Sequence, residues 1–205
     1  PGVARVLVGA KASVTKLDAS NTTPLLAALR CGDKTIAQTL VDAADAETVK
    51  NTMFEVTRAG DAGTLRRLLA AVSADVPREA QQPPRALPAL PKGAVSPPET
   101  GVQLDSVNVV DEQGDTMLML AATHGHLDMV KDLLKAKASL TIANHVGDTV
   151  VHVAAQSGDV SVLQHLLAAK APVDVKNGRG ETPLAVAASR GLAEAVQLLV
   201  NAKAS

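Results

Sequence analysis

GDTMLMLAATHGHLDMVKDLLKAKAS at 114–139, GDTVVHVAAQSGDVSVLQHLLAAKAP at 147–172 and GETPLAVAASRGLAEAVQLLVNAKAS at 180–205 are three versions of one text. Their opening glycines, Gly114, Gly147 and Gly180, follow one another with a fixed period of 33. A Thr comes two residues after each (Thr116, Thr149, Thr182), and a second glycine nine residues after the Thr (Gly125, Gly158, Gly191). Eight and nine residues further on stands an apolar pair: Leu133 and Leu134, Leu166 and Leu167, Leu199 and Val200. A unit this short cannot bury its own apolar face. A fixed period in this range therefore predicts stacked neighbours that share one continuous core.

The period, together with TPLAVAA at 182–188 and TVVHVAA at 149–155, resembles the ankyrin repeat and its T-P-L-H-x-A signature. HGHLDMVKDLL at 124–134 is similar to that family's second-helix consensus. The resemblance implies an all-α fold: an ankyrin-repeat solenoid of stacked helix–turn–helix units with short β-hairpin loops and one Pro-rich insertion. Thr116, Thr149 and Thr182 fall at helix starts, where a hydroxyl satisfies an orphan amide. Pro24 and Pro183 fall in the first turn, where a missing N–H costs nothing. The glycines after the first helices end them. The pairs Ala121–Ala122, Ala154–Ala155 and Ala187–Ala188 let adjacent inner helices approach. His152 stands in the signature's fourth position, which the resemblance makes a structural hydrogen-bonding residue, and the same reading suits His124.

The N-terminal half keeps the pattern less tidily. TTPLLAALRCGDKTIAQTLV (22–41) aligns through Thr23, Pro24, Leu25, Gly32, Leu40 and Val41. NTMFEVTRAGDAGTLRRLL (51–69) aligns through Gly60, Leu68 and Leu69, with Asn51 where the Thr belongs. Gly32 and Gly60 stand five positions closer than the period requires, so a shortened hairpin is expected at 42–50. Gly60 and Gly125 stand nearly two periods apart, which leaves room for an insertion almost as long as a unit. The expected organisation is a partial unit at 1–17, a unit at 18–50 with a shortened connection, and helices of a further unit at 51–74. A Pro-rich insertion at 75–106 follows, then units at 107–143, 144–176 and 177–205. A start inside a unit, at 1–17 ending in GAKASVTKL, and an end on AKAS are expected of a piece of something longer.

Composition sets bounds on function. Of 205 residues 46% are hydrophobic and 20% charged, with a formal net charge of −1. No broad attraction to nucleic acid or anionic lipid is expected from that balance. The single cysteine, Cys31, cannot form an internal disulfide, and no apolar run reaches the ~18 residues that span a bilayer. A reducing cytoplasm or nucleus, without membrane insertion, is the expectation. Trp and Tyr are absent and Phe54 is the one aromatic residue. Thin layers filled by Ala, Leu and Val suit an array better than a globule built around large rings.

The chain offers no catalytic constellation. His124, His126 and Asp128 lie close in sequence, but a spacing of two does not place ligands on one helical face, and no metal or cofactor is expected. There is no G-x-x-x-x-G-K-[ST] phosphate loop. Cys31 has no evident His or Asp partner and precedes a structural glycine. Phe54 is expected in the core.

The resemblance implies a binding surface instead, formed by the hairpin tips and the exposed ends of the inner helices along a concave groove. The tips map to Glu112, Gln113 and Asp115, to His145, Val146 and Asp148, and to Gly178, Arg179 and Glu181. The earlier counterparts are Ala19, Ser20 and Thr22. The groove positions before each glycine are Arg30 and Cys31, Arg58 and Ala59, Thr123 and His124, Gln156 and Ser157, and Ser189 and Arg190. Arg30, Arg58 and Arg190 place positive charge along that face, while the tips carry acid. Interface hot spots favour Trp, Tyr and Arg, so with the first two absent Arg and aliphatics must anchor any partner. An acidic or extended protein segment, held with modest affinity by a monomeric chain, is the expected ligand.

Seven of the eleven prolines lie in the insertion. Arg85, Leu87, Pro88, Leu90 and Pro91 form R-x-L-P-x-L-P, which resembles a ligand of a Src-homology-3 domain: a polyproline helix with a basic end. A plain extended linker fits the same composition, and Ser96 before Pro97 forms a weak phosphorylation pattern. The sequence thus points to a non-enzymatic interaction scaffold or adaptor. The alternative is a targeting or regulatory region of a larger enzyme whose catalytic domain lies elsewhere.

Overall fold

A computed structural model describes residues 23–73 and 106–202. The expected partial unit at 1–17, the tip positions Ala19, Ser20 and Thr22, the Src-homology-3-type segment with Arg85 and Pro88, and Ser96 lie outside them. The described residues form ten α-helices in five antiparallel pairs. These are α1 (Pro24–Cys31) with α2 (Lys34–Ala43), α3 (Ala46–Arg58) with α4 (Ala62–Ser73), and α5 (Met117–Thr123) with α6 (Leu127–Lys135). Then come α7 (Val150–Ser157) with α8 (Val160–Ala168), and α9 (Pro183–Ser189) with α10 (Ala193–Asn201). The even-numbered helices stack in one layer, and α3, α5, α7 and α9 stack in the other. The first pair joins the stack through α1 and α2 on α4. No helix among the described residues is long and apolar enough to cross a membrane.

Polar residues in the repeated text set the helix ends. Thr23 accepts from the Leu26 amide at 3.2 Å, and Thr116 accepts from the Met119 amide at 3.2 Å. Asp33 and Asp159 do the same at the starts of α2 and α8. At α7 the histidine joins in: the Thr149 amide donates to His152 Nδ1 at 3.1 Å. With Nδ1 accepting, the ring proton sits on Nε2, which faces the Glu181 carbonyl 3.1 Å away in the next unit. His152 is 1% exposed, so this ring links two units from inside the core.

That core is one apolar sheet of contacts along the stack. Leu25, Leu29, Met53, Leu65, Leu68, Met117, Met129, Leu133, Leu163, Leu166 and Leu199 are all buried, as are Ala121, Ala122, Ala154, Ala155 and Ala187. Phe54 is 3% exposed, in the core as expected. Ala188 departs from the other alanines and is exposed, because α9 has no further inner helix against that side among the described residues.

The connection at 42–50 differs from expectation. There is no shortened hairpin: α3 begins at Ala46, with only two residues between it and α2, so 46–50 are its first turns. The boundary expected between 50 and 51 falls inside this helix, and Asn51 is an interior, exposed position. The reason lies in Val49 and Met53, four residues apart and both buried, with Asp45 accepting from the Thr48 hydroxyl at the helix start. Helical periodicity simply continues where the hairpin would stand. The boundary expected at 106 falls inside a 3-10 turn, Ser106–Asn108.

Candidate interaction surface

Each inner helix ends on exposed residues just before its turn. Arg30 and Cys31, Arg58 and Ala59, Thr123 and His124, Gln156 and Ser157, and Ser189 and Arg190 are all exposed, while Leu26, Phe54, Leu120, Val153 and Val186, about one turn earlier, are buried. This follows from helical geometry: the last turn runs beyond the packed stripe. The arginines are not equivalent. Arg58 Nη2 donates to Asp111 Oδ2 at 3.3 Å, and Asp111's side chain is only 8% exposed. Arg190 Nη1 reaches the Gln156 carbonyl at 3.4 Å. Arg30's guanidinium meets no acceptor among the described residues, although its charge faces Asp61. The Thr64 hydroxyl and amide, which donate to Asp61 at 2.6 and 2.9 Å, hold that carboxyl below its ordinary 3.8, aided by Arg30 and Arg67 and opposed by burial.

The tips are built on a ladder that the sequence reading missed. Asp111, Asn144 and Asn177 recur with the same period as the opening glycines. Asn144 Oδ1 accepts from the Val146 and Asp148 amides at 3.2 and 2.9 Å, and Asn177 Oδ1 accepts from the Arg179 and Glu181 amides at 3.0 Å each. Asp111 Oδ1 plays the same part for Gln113 and Asp115. The Asn side-chain amides then reach back one unit: Asn144 Nδ2 donates to Asp115 Oδ1, and Asn177 Nδ2 to Asp148 Oδ1, both at 2.8 Å. The main chain follows suit, with the His145 amide donating to the Gln113 carbonyl at 3.1 Å and the Gly178 amide to the Val146 carbonyl at 3.0 Å.

This ladder sorts the expected tip residues. Glu112, Gln113, His145, Val146, Gly178 and Arg179 stand exposed. Asp115 and Asp148 are half-buried, with carboxylates engaged along the stack, and Glu181 lies 3.5 Å from Asn177 Nδ2. The recurrence of Asp or Asn three residues before each opening glycine was the available signal.

His124 Nδ1 lies 2.9 Å from the Leu120 carbonyl, the structural bond expected of it, and its ring stacks on His126 with centroids 5.6 Å apart. Asp128 is drawn away to Lys131 at 3.6 Å. Cys31 is an exposed free thiol.

A family model for ankyrin repeats in three copies matches residues 151–205, and one for ankyrin repeats in many copies matches 99–134 and 120–167. Together these spans run from 99 to 205, over half of the chain. The pairs α1–α2 and α3–α4 lie outside the matched residues and join the same stack. No curated protein matches the chain.

Proposed function

We propose, from the premise that this chain belongs to the ankyrin-repeat family, that it is a scaffold or adaptor holding a protein partner along its concave face. Ankyrin repeats are generally protein–protein interaction modules and are typically non-catalytic. The observation that carries the proposal is the run of exposed inner-helix ends from Arg30 to Arg190, set on buried helices and flanked by exposed tips. A rigid scaffold presenting variable polar ends suits recognition of an extended segment, because little ordering is needed on the scaffold's side. Arg179 and Arg190 stand at the α9 end, where acidic groups of the partner would bind, while at the α3 end Arg58 and Lys50 stand among Glu47, Glu55 and Glu112. The exposed Cys31 thiol supports placement in a reducing compartment, cytoplasm or nucleus.

The test is capture of partners by wild-type chain and by a variant carrying Arg30→Ala, Arg58→Ala and Arg190→Ala together, with affinities measured on the partner identified. Loss of about tenfold or more is expected, since three anchoring side chains contribute about 1.4 kcal/mol or more in total. Undiminished capture by the folded variant would sink the reading.

A further inference from the structure

The replaced hairpin leaves the tip ladder open at one place. The His145 and Gly178 amides each donate to a carbonyl of the preceding tip. The amide in the same register one unit earlier is that of Glu112. The unit ahead of it carries helix α3 instead of a hairpin, and the Glu112 N–H has no acceptor among the described residues. Glu112 also lines a cleft of about 380 Å³, together with Asp111, Gln113 and residues of α3 from Glu47 to Arg58. Phe54, nearly buried, is among its lining residues.

The charges in this cleft do not cancel. Lys50 lies 4.0 Å from Glu47, and Arg58 pairs with Asp111 at 3.3 Å. Glu55 and Glu112 remain exposed, with no cationic side chain within ion-pair distance among the described residues. Two carboxylates without a counter-ion beside an unpaired main-chain donor form a composite site. The donor calls for a carbonyl on an extended backbone, and the carboxylates call for a guanidinium or ammonium group.

We infer that this cleft seats an extended, arginine- or lysine-bearing segment of the partner, which takes the place of the missing hairpin and accepts a hydrogen bond from the Glu112 N–H. The inference rests on the concave-face reading and fixes the chemistry at its α3 end. An extended segment laid there continues the series of tips closed by the Asp111–Asp115, Asn144–Asp148 and Asn177–Glu181 main-chain bonds. Its cation is matched by the carboxylates of Glu55 and Glu112, both of which line the cleft.

The experiment uses the full chain and two labelled hexapeptides, one alternating Arg with Val and one with Glu in place of Arg, read by fluorescence anisotropy and by amide shifts of labelled protein. The Arg peptide is expected to bind at least tenfold more tightly and to shift the Glu112 amide. Glu55→Gln and Glu112→Gln are each expected to weaken binding about fivefold. Glu112→Pro removes the N–H as well, at the second position of the Asp111–Gly114 turn where proline is tolerated, and is expected to lose about fivefold more than Glu112→Gln. Equal affinity of the two peptides, or of the Pro and Gln variants, overturns the inference. The Glu112 shift in the unmodified chain decides the matter if a variant misfolds. Shifts confined to Thr123, Gln156 and Ser189 would overturn the cleft while the concave-face reading stood. Deleting residues 78–99 is expected to leave the affinity unchanged. A tenfold gain on that deletion would mean that the chain's own insertion occupies the cleft, and would overturn its assignment to a partner.

Discussion

Lys137 and Lys170 hold left-handed backbone, φ 62° and 61°, at the ends of α6 and α8. Each sits in a Schellman turn: the Ala138 amide reaches the Leu133 carbonyl and the Lys137 amide the Leu134 carbonyl, with Ala171 and Lys170 repeating this on Leu166 and Leu167. A side chain there costs about 1 kcal/mol relative to glycine, so Lys137→Gly or Lys170→Gly is expected to stabilise the chain by ~0.5–1 kcal/mol in chemical denaturation. Gly147 shows the reverse case. Its φ is +83°, and an added Cβ would run into the Gly178 backbone nitrogen, so Gly147→Ala is expected to destabilise by about 2 kcal/mol or more. Asp61 contributes a pH dependence of known sign. Its lowered folded pKa means that its contribution is full above the ordinary 3.8 and is lost as pH falls below that value. The stability difference between wild type and Asp61→Asn should therefore be largest near neutral pH and shrink in acid, which acid-titrated denaturation would check.

Between elements, the Asn ladder couples the tips. Asn144→Ala removes two bonds to amides and one to Asp115, and is expected to cost about 1–3 kcal/mol and to broaden the amide signals of residues 144–148. Gln in its place would not rescue it, because the longer side chain misplaces the carbonyl. The helix starts were legible from Thr116, Thr149 and Thr182, because local capping chemistry needs only local sequence. The hairpin at 42–50 was not. Counting from Gly32 to Gly60 revealed that five residues were missing, but whether those remaining form a loop or helix depends on Val49 and Met53 finding a core to enter.

Across the molecule, each pair is held by its neighbours, so central substitutions act on two interfaces and exposed ones on none. Leu163→Ala, fully buried, is expected to cost about 2–5 kcal/mol, whereas Val200→Ala, half exposed, should stay within about 0.5 kcal/mol. The stack also runs unbroken past the insertion: α3 packs on α5 and α4 on α6, with Arg66 Nε donating to Asp132 at 2.6 Å and Gly60 lying against the His126 ring. Removal of residues 78–99 is therefore expected to shift Tm by only a few degrees in a thermal melt.

The period, the helix pairs from α5 to α10, their caps and the exposed ends of the inner helices could all be read along the chain, because they follow from residue types at fixed spacing. Three features came from packing instead. The stack drew in Asp115 and Asp148, while Glu112, in the same hairpin as Asp115, stayed exposed. Packing paired Arg58 with Asp111 across 53 residues of chain. It also put α3 where a hairpin was expected, so the Glu112 amide lacks the acceptor that the His145 and Gly178 amides have, among the described residues. Each depends on which neighbour a side chain or amide meets across the stack, and periodicity fixes which residues face that way without fixing what they find there.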